Sequence, residues 1–270
     1  MSIIVTGGAG FIGSNYIRYL NSIGIDDIIV IDVNFDNFKN LEGLKYSRYF
    51  DKNEIDELIL CDVEAIIHLG AHSDTTTNSK ECYDNNYKYT IKLFLKALTD
   101  KIPFVYASSA AVYGNGGFPL NFYGASKLAA DKFINNRAVG LRFFNVYGMR
   151  EDHKGRMKSF LSKIIDGERL LFKGTENSAR DYIYVKDVVK IIDYFRLHYK
   201  PGVYDVGTGV NTTYTELFKT LKTTPTLIDT PADLAGKLQV NTKADLAPLR
   251  KAGYTDNFYT IAEAVKEMGL

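Results

Sequence analysis

Two clusters of residues in this 270-residue chain have the types and spacing to do chemistry. The first is Gly7-Gly8-Ala9-Gly10-Phe11-Ile12-Gly13, a GxxGxxG run between a β-branched segment and a helix-patterned one. Glycines there permit a tight turn and let the backbone approach a pyrophosphate. The free N–H groups and positive dipole end of the following helix then face the anion. Asp32 ends the next strand-like run, 19 residues past Gly13. That is where a carboxylate meets the ribose of an adenine dinucleotide. A carboxylate there favours a free 2′-hydroxyl, whereas Lys39, Arg48 and Lys52 could neutralise a 2′-phosphate. Charge alone leaves NAD and NADP open.

The second cluster is Tyr123-Gly124-Ala125-Ser126-Lys127, a YxxxK. Residues four apart share a helix face, so phenol and ammonium can enter one site. Free tyrosine, with a pKa of about 10, is a poor base at neutral pH. A neighbouring ammonium and an oxidised nicotinamide favour the phenolate, which can then take a proton from an alcohol as hydride leaves. Lys127 can also hold the nicotinamide ribose. Ser109, at the end of the preceding strand-like run, can orient the same substrate oxygen. A second YxxxK, Tyr182 and Lys186, has no such serine and reads as strand-to-helix packing. His72 and His153 have no metal-ligand spacing and read as polar lining, and no metal site is expected.

These side chains need elements to carry them. Ile3–Thr6, Asp27–Asp32, Val63–Leu69, Ile102–Ser108 and Val139–Phe144 read as buried strands. Phe11–Ile23, Asn86–Leu98 and Tyr123–Ile134 read as helices between them. Continuous apolar strands alternating with helices predict an α/β fold, a Rossmann-type doubly wound parallel sheet covered on both faces. Carboxyl ends of such strands face the ligand crevice. Past Tyr147 the pattern loosens. Met157–Ile165 and Val185–Tyr199 read as helices, and Leu170–Phe172, Asp181–Tyr184 and Gly202–Val206 as strands. The chain divides on this reading into a dinucleotide-binding domain, 1–146 plus about 181–210. A second, smaller α/β substrate lobe takes about 147–180 plus 211–270.

A net charge of +1 offers no bulk field for nucleic acid or an acidic membrane. No apolar run reaches the roughly 20 residues that span a bilayer. The start of the chain has neither a basic region nor a cleavage site, so a cytoplasmic protein is expected. The two cysteines, Cys61 and Cys82, form no CxxC and read as buried free thiols in a reducing compartment.

In combination, TGGAGFIGS, ASSAAVYG, YGASK and LRFFNVYG resemble the extended short-chain dehydrogenase/reductase superfamily of NAD-dependent epimerases and dehydratases. HLGAHSDTT, DNNYKYT, FFNVYGMREDHKG, LFKGTENSARDYIYVKDV and ADLAPLRKAGY are similar to the ADP-L-glycero-D-manno-heptose 6-epimerase family. That family inverts C6 of a nucleotide-linked heptose used in lipopolysaccharide core synthesis. The resemblance implies transient oxidation to a keto sugar on a bound nicotinamide, then re-reduction from the other face. It implies two acid/base groups, Tyr123 and Lys154, with Ser109 and Lys127 beside the first.

The resemblance also implies contacts. Gly7, Gly10, Phe11, Ile12 and Gly13 would hold the pyrophosphate, and Asp32 and Val33 the ribose. Lys39 and Lys52 would hold a 2′-phosphate, which tips the cofactor to NADP, with NAD the alternative. Leu69, Gly70, Ala71, His72, Ser73 and Asn85 would line the nicotinamide side with Tyr123, Lys127 and Val146. Ser109, Asn145, Arg156, Lys163, Phe172, Lys173, Gly174, Thr175 and Arg180 would hold the nucleotide sugar. A homo-oligomer is implied. The chain departs from the family at Val33, Leu69, Arg156, Lys163 and Leu238, and shortens its loops at Gly114–Leu120 and after Ile134. A 4-epimerase or related reductase on another nucleotide hexose is the alternative activity. A cofactor-binding regulator without catalysis is the other class, one that would ordinarily lack the tyrosine or lysine kept here.

Overall fold

The computed structural model describes every residue except 34–38, 57–59, 61, 75–78 and 232–238; the side chains of Asp56, Ser79 and Arg156 are also outside it. The expectations for Cys61, Leu238 and the Arg156 side chain therefore lie outside the described residues. The chain opens with β1 (Ser2–Thr6), α1 (Phe11–Ser22), β2 (Ile28–Asp32), β3 (Arg48–Asp51) and β4 (Val63–His68). A long helical run follows: α2 (Ser79–Cys82), a π-helical segment (Tyr83–Lys88) and α3 (Tyr89–Thr99). Then come β5 (Phe104–Ser109), α4 (Phe122–Ile134), β6 (Val139–Phe143), β7 (Asn145–Tyr147), α5 (Phe160–Ile165), β8 (Leu170–Phe172), β9 (Ala179–Tyr184), α6 (Val185–Leu197) and β10 (Gly202–Val206). The chain ends through β11 (Asn211–Thr213), α7 (Tyr214–Thr220), β12 (Thr226–Ile228), α8 (Ala247–Lys251) and α9 (Ile261–Glu267).

Among the described residues, seven strands form one sheet in the order β10-β6-β5-β4-β1-β2-β3. Every pairing in it is parallel. The order reverses between β1 and β4, the switch point at which a doubly wound sheet opens a crevice. Side chains alternate along β1 and feed two core layers. Ile3 and Val5 join Tyr16, Ile17 and Leu20 of α1 and Ile191, Ile192 and Phe195 of α6. Ile4 joins Leu93, Phe94 and Ala97 of α3. Both faces are thus covered, as the apolar strand sequences require.

Smaller sheets extend the carboxyl side: β11-β9-β7 and β12-β8. Helix starts follow local chemistry. Asn121 Oδ1 accepts from Gly124 N at 2.9 Å and caps α4, the helix of the YxxxK. Thr213–Glu216 and Thr260–Glu263 form capping boxes on α7 and α9. By contrast α1 has Gly10 as its cap, with no side-chain hydrogen bond.

Some features were not expected, among them the short strands β11 and β12. β3 is an edge strand of four residues, Arg48 exposed and the other three half-buried, and β7 has only three residues. Segments that short carry no readable periodicity. The helix expected from Asn86 instead begins at Ser79 and runs through the π-helical segment. No described helix is long and apolar enough to cross a membrane. Cys82 is buried with a free thiol.

Candidate active site

The carboxyl ends of β1, β2, β4, β5 and β6 open onto one groove of about 1370 Å³. It exceeds the roughly 300–1,000 Å³ of an ordinary small-molecule pocket and has room for a dinucleotide. Its floor is the glycine turn. Gly7 has φ +68°, and a Cβ there would lie 2.5 Å from Gly70 N. A Cβ on Gly13 would lie 2.1 Å from Gly7 O. Only glycine lets the turn, the first helical turn and the 69–70 backbone come this close. The α1 N-terminus has no side-chain cap to compete with an anion. This cradle fits a pyrophosphate.

Asp32 stands at the groove wall. Its Oδ2 accepts from Ala9 N at 2.9 Å and its Oδ1 from Val33 N at 2.8 Å. Burial lifts its carboxyl above the usual range against those two amides. Lys39 lies exposed on the rim, and Lys52 Nζ donates to Asn85 Oδ1 at 2.6 Å. Asn40, which sequence reasoning missed, ties this rim together. Its Nδ2 donates to Ala9 O at 3.1 Å and to Arg150 O at 3.3 Å, and pairs with His153 Nδ1 at 2.9 Å. The Arg150 guanidinium returns a bond to Asn40 O.

The end of β5 places Ser109 against Tyr123 on α4. Ser109 Oγ accepts from Ala111 N at 3.1 Å and its hydroxyl acts on the neighbouring Tyr123 phenol. Burial raises the Tyr123 pKa and the Ser109 hydroxyl opposes it. The lysine does not give the expected lowering, because its ammonium is turned to a backbone carbonyl. Lys127 is 2% exposed and gives its Nζ proton to Ala107 O at 2.9 Å. Burial pushes the lysine itself down to about 8, with Asp131 opposing. The packed helix–strand junction thus holds the ammonium on a carbonyl.

Lys154 lines the same groove. Its Nζ pairs with Glu151 Oε1 at 2.8 Å and stands 5.3 Å from the Phe11 ring centroid. Glu151 is 2% exposed and also accepts from Ser159 N, Ser159 Oγ and Ser162 Oγ at 2.8, 3.0 and 2.6 Å. Asn145 faces the groove, its Nδ2 held by Asp181 O at 2.9 Å and Thr242 Oγ1 at 3.2 Å. His72 and His153 line the groove as well. Burial lowers the His153 pKa, so its ring is neutral lining at pH 7.

All residues assigned above to the cofactor, with Ser109, Asn145 and Lys154, share this groove. Lys163, Phe172, Lys173, Gly174, Thr175 and Arg180 are not in its lining. Arg180 was expected to offer its fork to a phosphate. Instead it is 8% exposed and donates to Ala179 O and Val240 O, both at 3.0 Å, and to Gln239 O. Gln239 Nε2 in turn donates to Ala110 O and Gly114 O, both at 3.2 Å. Lys173 is exposed and pairs with Asp229 at 2.8 Å. The second YxxxK is structural: Tyr182 is buried in β9, and Lys186 pairs with Glu267.

Three comparisons agree with this geometry. The model of the NAD dependent epimerase/dehydratase family matches residues 3–207. The ADP-L-glycero-D-manno-heptose-6-epimerase of Brachyspira hyodysenteriae is 42% identical over 304 aligned positions, covering 98% of this chain and 96% of that protein. That aligned length exceeds the 270 residues here, so the relative carries insertions. Among solved structures, the Helicobacter pylori ADP-L-glycero-D-manno-heptose-6-epimerase superposes with TM-score 0.86 at 30% identity, covering 99% of this chain and 94% of that one. A UDP-N-acetylglucosamine 4-epimerase from Methanobrevibacter ruminantium, in complex with UDP-N-acetylmuramic acid, superposes with TM-score 0.82 at 26% identity, covering 99% and 96%.

Proposed function

The chain belongs to the NAD dependent epimerase/dehydratase family, and from that premise we propose that it inverts C6 of an ADP-linked glycero-manno-heptose. The observation that carries the reading is that two side chains able to transfer a proton, Tyr123 and Lys154, line one groove together with the glycine turn. A simple dehydrogenase needs one such group. An epimerase uses two when the oxygen of the turned keto sugar meets a different side chain on re-reduction, and Lys154 is placed to be that second group.

A nicotinamide cofactor, when bound, supplies reversible hydride transfer at the sugar carbon. The chain's own residues do the rest. The glycine turn and the α1 N-terminus hold the pyrophosphate. Ser109 orients the sugar hydroxyl, and Tyr123 takes its proton. Lys127, buried one turn along α4, is placed to hold the nicotinamide ribose, and the phenolate is favoured by the positive charge of an oxidised nicotinamide. Lys154 stands ready with its proton for the oxygen of the keto sugar when the other face is reduced. One of the pair therefore starts protonated and the other deprotonated, and the states exchange in each turnover. We take 147–180 and 211–270 as the lobe that receives the sugar, and a homo-oligomer as the working form.

NADP is the proposed cofactor. Lys39 and Lys52 stand on the adenosine side of the groove, while both oxygens of Asp32 are engaged by backbone amides. The test is incubation of the protein with one C6 epimer of ADP-glycero-manno-heptose under added NADP or NAD. Formation of the other epimer, faster with NADP, is expected. No interconversion with either cofactor, alongside turnover of a UDP-hexose, would move the assignment to the 4-epimerase reading.

A further inference from the structure

A line of buried hydrogen bonds runs beneath the groove and takes no part in the proton transfers above. Thr6 and His68 are register partners on β1 and β4. Their side chains meet at 2.6 Å, Thr6 Oγ1 to His68 Nδ1. The other ring nitrogen, Nε2, is 2.8 Å from Thr90 Oγ1 on α3. Thr90 gives its one hydroxyl proton to Asn86 O at 2.9 Å. With that proton committed, Thr90 can only accept from the ring. The ring then carries its proton on Nε2 and accepts from Thr6 at Nδ1.

The line continues from Asn86. Its side chain accepts from His72 N at 2.8 Å and donates to His72 O at 2.9 Å. It also donates to Ser126 Oγ at 3.2 Å, and Ser126 bonds the carbonyl of Tyr123 at 2.7 Å. At the other end, Gly70 N donates to Thr6 Oγ1 at 3.4 Å. His68 is fully buried, stacked on Phe104 at 6.0 Å between ring centroids. Burial first, and the Lys127 ammonium second, hold its pKa at about 3, so the ring is uncharged in use.

We propose that His68 is a positioning residue of the cofactor site: as a neutral Nε2–H imidazole it fixes the exits of β1 and β4 to the helix that carries Asn86. Those exits bear the phosphate turn and the 69–73 wall, and Asn86 reaches on to the segment under Tyr123. One ring thereby sets both halves of the dinucleotide cradle in register with the acid/base helix. The inference rests on reading the groove as the cofactor site, and not on the identity of the sugar.

The test compares His68→Leu, which keeps apolar bulk but neither hydrogen bond, with His68→Gln, which restores a donor and an acceptor. Binding of NADPH and NADH is followed by cofactor fluorescence in the whole chain, without any sugar. His68→Leu should bind the preferred cofactor roughly tenfold more weakly, and His68→Gln should recover most of that loss. Nitrogen NMR of the wild-type ring should show a proton on Nε2 and none on Nδ1 at neutral pH. Wild-type affinity in His68→Leu, equal weakness in both variants, or a ring protonated on Nδ1 would each overturn the proposal. If His68→Leu fails to fold, the NMR result and the affinity of His68→Gln decide. Because no sugar is turned over, a wrong substrate assignment leaves this test unaffected.

Discussion

Lys127 Nζ sits 2.9 Å from the carbonyl oxygen of Ala107, so the ammonium one turn along from Tyr123 is fastened to β5. The tyrosine, left with burial and the Ser109 hydroxyl, has a raised pKa. Its activation must come with a positive charge entering the groove, which an oxidised nicotinamide supplies.

Replacing Tyr123 by Phe removes the hydroxyl and leaves the ring and the cradle. Epimer interconversion should fall by roughly a hundred- to ten-thousandfold, the span of a lost general acid/base. Cofactor binding, read by fluorescence, should persist. Undiminished turnover would remove Tyr123 from the chemistry.

Lys154 is the sharper test of a two-group scheme. Lys154→Ala should abolish net epimerisation while Tyr123 still takes the hydroxyl proton as hydride leaves from one face. The expected signature is reduced cofactor that forms on adding one epimer and is not consumed by inversion. Full epimerisation by the alanine variant would exclude this lysine as the second group.

Gly13→Ala probes the cradle itself. The added methyl would sit 2.1 Å from Gly7 O, and no flexible side chain is there to move aside. The turn must shift, with a loss of about 1–3 kcal/mol in stability and a weaker cofactor complex. Gly116→Ala is the control, because nothing lies within 4 Å of its Cβ position. Denaturant melts and cofactor titration of the pair would expose an error if both variants behaved alike.

Asp187 gives a pH signature. Its Oδ2 accepts from Tyr259 N at 2.9 Å, and its buried Oδ1 has no hydrogen-bond partner. Burial lifts its carboxyl from 3.8 to about 6. A raised acid holds its proton more tightly in the folded chain. Its contribution to stability is therefore full below 3.8 and is lost as pH rises through about 6. Asp187→Asn stays neutral throughout. Its stability relative to wild type should be most favourable near neutral pH and should shrink on acidification. A pH-independent difference in denaturant melts would contradict this.

Much of the site was legible because its logic is local. Glycine spacing after a β-branched strand, an acid at the next strand end, and YxxxK beyond a Ser-Ser strand end each fit within a short window. What stayed hidden depends on distant partners. Asn40 lies in a short 3₁₀ turn and gains its role only when residues 150–153 fold across it. Glu151 becomes a buried anchor only because Ser159 and Ser162 turn back toward it. Arg180 looked free for a phosphate because nothing in the sequence announces that residues 239–240 will occupy its fork. Short β3 and β7 are set by pairing with neighbours, which periodicity within four or three residues cannot report.

The π-helical segment Tyr83–Lys88 has a consequence for any attempt to shorten or graft this helix. Each residue advances an ideal α-helix by about 100°, so the widened turn resets the angular phase between the residues before it and those of α3. Asn86 clamps the 72 backbone while Leu93, Phe94 and Ala97 stay buried in their layer, because both ends of the run are timed to that reset. Deleting one residue from 83–88 would make the helix more regular and the enzyme worse: either the amide clamp or the apolar stripe would turn away.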